Sequence, residues 1–135
     1  MDIKKAFATD KEKEKNGVWL DVGPNCKTLI ARVGNPNYLR EFKRLTKVHT
    51  QSIRRGIMEE EVADAILIKV MAKTILLDWE GMEEDGEPIP YSVDAAIRLL
   101  TTYKDFRDLI SEISNTMDAY KVEVEEDSEK NSQSS

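Results

Sequence analysis

The chain has 135 residues, of which 40% are hydrophobic and 34% charged, and its formal net charge is −6. That suits one domain with one ordinary core, and the acid excess argues against general affinity for phosphate backbones, which needs a dominant positive field. A single cysteine, Cys26, excludes an internal disulfide and points to a reducing compartment, while no apolar run is long enough to span a bilayer and the opening "MDIKKAFATDKEKEKNG" lacks the apolar stretch of a signal peptide, so a cytosolic protein without a membrane step is expected.

Residues 1–16 are charged, with Phe7 their only large aromatic, and read as a loose arm. Residues 18–33 read as a β-hairpin. Val18, Leu20 and Val22 alternate with Trp19 and Asp21, and Leu29, Ala31 and Val33 alternate with Thr28, Ile30 and Arg32. Between them Gly23-Pro24-Asn25-Cys26 supplies the turn. Asn35 as N-cap and Pro36 at the first helical position open a helix. Its apolar stripe is Leu39, Phe42 and Leu45, beside a basic stripe of Arg40, Lys43, Arg44 and Lys47. "HTQSIRRG" is polar and reads as a connection.

The strongest helix follows in "MEEEVADAILIKVMAKTILLDWEG". Glu59, Glu60 and Glu61 favour the positive end of its macrodipole. From Val62 to Trp79 it is apolar around most of its circumference, which places it in the middle of a bundle, with Gly81 as terminator. After an acidic loop, Ser92 caps a further helix with Asp94 in its first turn. Ala96, Leu99, Leu100 and Tyr103 run down one face, continued by Phe106, Leu109, Ile110, Ile113, Met117 and Tyr120. The pattern fits one long helix or two; Thr101 and Thr102 are weak helix formers and Asp105 suits a new first turn, which favours a break or kink near 101–105. Residues 121–135 net −3 and read as a disordered acidic tail. The expected fold is therefore mainly α: a small helical bundle over residues 17–120 with an N-terminal β-hairpin.

Catalytic chemistry has little to stand on. The single His49 lies in a polar linker without metal-like spacing, and nothing near Cys26 clearly lowers its pKa. "EGMEEDGE" lacks the alternating oxygen ligands of a calcium loop, and "VGNPN" is not a phosphate-cradling loop. No catalytic, cofactor-binding or metal residue is assigned, and the chain is expected not to be an enzyme. Residues 36–55 net +5. This patch has three competing explanations: pairing with Glu59–Glu61 or the acidic tail, docking of an acidic protein partner, or contact with nucleic acid. No stacking platform or recognition-helix pattern supports the third.

The ordered set "TDKEKEKNGVWLDVG", "LIARVGNPNYLREF" and "LLDWEGMEEDGEPIPYSVDAAIRLL" resembles the tail assembly chaperones of long-tailed, siphovirus-type bacteriophages. Asp10, Glu14, Asn16, Gly17 and Trp19 carry the first piece, and Arg32, Asn35 and Pro36 the second. Trp79, Gly81, Asp85, Gly86, Pro90, Tyr91 and Ser92 carry the third. The resemblance implies a mostly helical, non-catalytic protein of the host cytoplasm, absent from the finished virion. Its implied partners are the tape measure protein, tail tube subunits and a frameshifted longer form of itself. Homo-oligomerisation is left open. No cofactor and no membrane partner is expected. Trp79 and Tyr91 admit two roles: a staple for the acidic loop, or part of a client-binding surface together with Arg40, Lys43, Arg44 and Lys47. The rival functions are a small adaptor or regulatory protein using its basic helix on an acidic or nucleic-acid partner, and an enzyme with an unrecognised carboxylate site.

Overall fold

The computed structural model describes residues 1–122. The acidic tail expected over 121–135 lies outside the described residues, save Lys121 and Val122. The fold is mixed α/β, not mainly α. In chain order it comprises α1 (Ile3–Phe7), α2 (Lys11–Asn16), β1 (Val18–Gly23), β2 (Cys26–Ile30), α3 (Pro36–Thr46), a 3₁₀ turn (Lys47–His49) and α4 (Thr50–Arg54). There follow α5 (Glu60–Thr74), β3 (Leu76–Glu80), β4 (Glu83–Glu84), β5 (Glu87–Pro88), α6 (Val93–Thr102), α7 (Lys104–Asn115) and a second 3₁₀ turn (Met117–Tyr120). Among the described residues no helix is long and apolar enough to cross a membrane.

The hairpin forms as its turn chemistry dictates: Pro24 and Asn25 join the strands, Asn25 with a φ of +54°. The largest departure from expectation comes next. The helix expected to reach Trp79 stops at Thr74, and Leu76–Glu80 becomes a third strand, antiparallel to β2, with Trp79 opposite Thr28 and Leu76 opposite Ile30. β2 is thus the central strand, in the order β1-β2-β3. Its buried pair is Thr28 and Ile30. The reason is tertiary: an isolated hairpin is marginal in water, and a third strand plus a helical layer lets it bury one face. The core joins Ile30, Leu76 and Trp79 of the sheet to Ile68, Met71 and Ala72 of α5, Leu99 and Leu100 of α6, and Ile110 of α7.

Trp79 is therefore a strand residue, buried in that core. Its indole N–H donates to the Ile89 carbonyl at 2.7 Å, and its ring meets Tyr91 edge-on with centroids 4.9 Å apart. The Tyr91 hydroxyl donates to the Leu76 carbonyl at 2.8 Å. The acidic loop between them is a tight hairpin, β4–β5, whose corner residues Asp85 and Gly86 both have positive φ, as a type I′ turn requires.

Residues 1–16 are not a loose arm. Asp2 and Asp10 cap two short helices with their side chains. The second helix is held from afar: the Asp10 N–H donates to the Tyr120 carbonyl at 2.8 Å, and Arg32 donates from its backbone N–H to the Glu14 carbonyl at 2.8 Å and from its side chain to the Glu14 carboxylate at 2.9 Å. Burial pushes that carboxyl's pKa up, but hydrogen bonds from Arg32, Lys11 and Thr9 outweigh it and hold it below its usual range. Phe7 is 55% exposed and anchors nothing. Tyr120 is fully buried; its hydroxyl donates to the Ile30 carbonyl at 3.0 Å, and burial raises its pKa to about 12.

Asn35 caps α3, accepting from the N–H groups of Asn37 and Tyr38. It is also 96% buried, and its amide donates to the carbonyls of Arg32 (2.7 Å) and Thr74 (3.1 Å). Ser92 caps α6 as expected, and the expected break falls at Tyr103, making 93–115 two helices. One consequence is that Tyr103 turns outward, 45% exposed, while Leu100 and Ile110 on either side of the break are fully buried.

Two predictions follow from backbone packing. Gly81 has a φ of +79°, and a Cβ there would lie 2.0 Å from the Asn25 carbonyl oxygen, whereas one at Gly86 (φ +80°) would meet nothing. Gly81→Ala is expected to cost about 2–4 kcal/mol in urea denaturation and Gly86→Ala only about 1 kcal/mol; equal losses would refute the close approach. Asn35→Asp keeps a good N-cap but abolishes both amide donations, so it should lose about 2–4 kcal/mol, close to Asn35→Ala. Stability within about 0.5 kcal/mol of wild type would show that only the cap matters.

Candidate protein-binding face

The basic helix and the start of α5 border an open, almost wholly apolar surface. No residue of α3 is buried, so its expected apolar stripe does not enter the core: Leu39 is 59% exposed and Phe42 41%. Instead α3 turns Tyr38 and Glu41 toward the rest of the molecule. Tyr38 packs against the core, and the Glu41 carboxylate takes hydrogen bonds from Arg44 of its own helix and from Lys73 of α5, the latter at 3.1 Å. "HTQSIRRG" is helical, not an irregular connection: α4 brings Ile53 back beside α3. Between α3, α4 and α5 lies a groove of about 380 Å³ lined by Phe42, Thr46, Ile53, Met58, Ala63, Asp64, Ile66 and Leu67. Ile53 and Leu67 are 47% and 37% exposed, and neighbouring Ile57 and Val48 are more so.

The charges around it are unevenly placed. Of the four basic residues assigned to binding, Arg44 is engaged by Glu41, and Arg40 donates to Asn37 at 3.0 Å. Lys43 and Lys47 make no ion pair among the described residues, and neither do Arg54 of α4 and Arg55, its C-cap. Glu59–Glu61 do not neutralise this patch, so of the three explanations the internal pairing is not formed by these residues, and its other half, the acidic tail, lies outside the described residues; Glu60 and Asp64 also lack a cationic partner among the described residues. The reason is geometric: α3 offers α5 its Tyr38–Glu41 side, and Lys73, in the last turn of α5, reaches Glu41 there. Glu41 is the most perturbed acid on this face, held at about 2 first by its hydrogen bond from Arg44 and then by Lys73, against the opposing effect of burial.

Trp79 and Tyr91 lie elsewhere, inside the loop staple described above, so the six assigned residues do not form one surface. Nearby, the acidic hairpin is pinned to α6 and to the α6–α7 break. Tyr103 and Arg98 both donate to Glu84, which lowers the pKa of that exposed carboxyl. His49 lies half-buried in the 3₁₀ turn. Burial raises the Cys26 thiol pKa, which disfavours the thiolate. Among the described residues no group of three His, Cys, Asp or Glu side chains could hold a metal ion. Ile53, Met58 and Leu67 were not singled out from sequence. The only signal for Ile53 was an isolated apolar residue in a polar segment.

Comparison with known families makes the chain a phage-derived protein. The model of the family described as YdaY prophage protein matches residues 33–131, which takes in the whole of this face. The match covers well over half of the 135 residues, and the chain belongs to the YdaY prophage protein family. No curated protein and no solved structure matches it.

The Glu41 contacts make α3 docking acid-sensitive. With its folded pKa lowered, Glu41 contributes stability that is fully present above its usual value of 4.5 and is lost as pH falls toward about 2. Glu41→Gln is expected to cost about 1 kcal/mol near neutral pH, a figure reduced for solvent screening. The gap between the urea midpoints of wild type and variant should close between about pH 4.5 and pH 2. A gap that stays constant over that window would place the effect in packing and not in charge.

Proposed function

We propose that this prophage-family chain is a non-catalytic tail assembly chaperone that binds the tape measure protein in the host cytoplasm during tail morphogenesis and is absent from the mature virion. Tail tube subunits are its second client, and a frameshifted longer form of the chain its natural companion. The observation that carries the reading is the open apolar groove beside the basic helix. A tape measure protein is a long helical chain that exposes apolar stripes before assembly, and a groove between helices receives such a stripe through anchors at i, i+3, i+4 and i+7. Phage origin and the ordered resemblance to tail assembly chaperones support the same reading. The acid surplus keeps a loaded complex soluble.

Co-expression with the tape measure protein of the same prophage tests it. The expected result is a tape measure protein that stays soluble and co-purifies with this chain, and precipitates without it. A tape measure protein that is equally soluble alone and never co-purifies would end the chaperone reading.

A further inference from the structure

β1 is an edge strand with an open outer side. It spans Val18–Gly23 and pairs with β2 alone, in the order β1-β2-β3. Outside that ladder, the one hydrogen bond to its backbone from Val18 to Val22 among the described residues runs from the Thr28 hydroxyl to the Leu20 carbonyl. On β3, the other edge, the Trp79 N–H donates to the Asp78 carboxylate at 2.8 Å and the Leu76 carbonyl accepts from the Tyr91 hydroxyl. Edge strands are protected by Pro, by Lys or by a bulge that twists them away. Val18–Val22 has neither Pro nor Lys, and its one irregularity falls at the turn, between Asp21 and Gly23. Along the strand Val18, Leu20 and Val22 are only partly buried, Leu20 and Val22 packing at the margin of the core. Trp19, 42% exposed, and Asp21, the only charge in the strand, lie on the other face. A strand with the same alternation would cover the half-buried row, and β1 itself has that alternation.

We propose that β1 pairs antiparallel with β1 of a second copy about a two-fold axis through Leu20, normal to the sheet, so that the two three-stranded sheets become one. This register sets Leu20 opposite the partner's Leu20 and Val18 opposite the partner's Val22, and the apolar row closes on itself. On the outer face Trp19 covers the partner's Asp21, and the two indoles meet diagonally across the axis. An axis through Asp21 sets two carboxylates against each other, and one through Trp19 leaves Val22 without an apolar neighbour. The pairing uses a different surface from the α3–α4–α5 groove and does not depend on what that groove binds. One strand edge per copy covers less than the area of about 800 Å² per partner in a stable interface. The dimer is therefore weak, with a Kd of about 10–100 µM.

Sedimentation equilibrium of the full chain between about 5 and 500 µM tests the pairing, and a reversible monomer–dimer equilibrium is expected. Hydrogen exchange at the two ends of that range should show amides of Val18–Val22 gaining protection at high concentration while residues 39–67 do not. Trp19→Glu, at an exposed position, sets a carboxylate opposite the partner's Asp21 twice in each dimer. It should weaken association at least about tenfold with circular dichroism unchanged. Adding Asp21→Lys makes the facing charges opposite and should recover most of that loss, a rescue that an effect on the fold of one chain does not produce. A chain that stays monomeric up to about 500 µM overturns the proposal. So does a dimer indifferent to Trp19→Glu, or one weakened by it and not rescued by Asp21→Lys. Protection confined to residues 39–67 overturns it by assigning self-association to the groove. Dimerisation seen only after removal of residues 123–135 overturns it as well, because the chain's own end would then occupy the edge.

Discussion

The carbonyls at the end of α5 are the point on which the fold turns. A helix leaves its last carbonyls without partners inside the helix, and burying them unpaired is costly. Here four carbonyls between Ala72 and Leu76 are taken by three separate segments. The Thr74 carbonyl accepts from the Asn35 amide, and the Ile75 carbonyl from the Ala31 N–H at 2.9 Å. Those of Ala72 and Leu76 accept from the Tyr91 hydroxyl, at 3.3 and 2.8 Å. The start of α3, the end of β2 and the approach to α6 are thereby fixed to one place. Because the helix is stopped there, Leu76–Glu80 can turn onto β2, and Trp79 enters the core.

That arrangement divides α5 into two working halves. Its second half is buried from Ile66 through Met71 and Ala72 to Thr74 and carries the core; its first half is exposed and forms one wall of the groove. The all-round apolar character of the helix thus has two causes. Toward the C-terminus, sheet and helices cover it from several sides. Toward the N-terminus, Ala63 and Leu67 face a channel that no other part of the described chain closes. Glu41 ties α3 to Lys73 in the half of α5 that carries the core, so the groove is anchored to the core helix.

Local signals could be read from the sequence wherever one residue's chemistry decides the structure. Asn35-Pro36 and Ser92 start helices by satisfying N–H groups within three residues, Pro24-Asn25 turns the hairpin, and the poor helix formers at 101–102 precede the break at Tyr103. Long-range partners could not be read. Leu76 and Leu77 continue a helical apolar pattern, and only pairing with β2 makes them a strand. The arm at 1–16 is polar because its ties to Arg32 and Tyr120 are polar. In the candidate site, the basic residues were visible as a stripe, but Leu39 and Phe42 looked like core residues because periodicity registers an apolar face without saying what covers it. Trp79 drew attention for a good reason, its N–H needing a partner, and that partner lies within the chain at Ile89.

The size of the exposed face limits how tightly it can bind. Fully burying a large apolar side chain contributes about 1.5–3 kcal/mol, and Phe42, Ile53 and Leu67 are each already about half-covered. Completing their burial contributes about 1 kcal/mol apiece, and adding Leu39 and Ile57 at the margins brings the total to a few kcal/mol more. Against this stands an association cost of about 4 kcal/mol or greater. A groove of this size cannot by itself hold a helix permanently. On the proposed reading, affinity would come from repetition, several copies of the chain engaging successive stripes of a long client, each contact weak and readily released. Weak, repeatable contacts are what the proposed role requires, because a protein that covers a long helical chain must then give it up to an assembling tube.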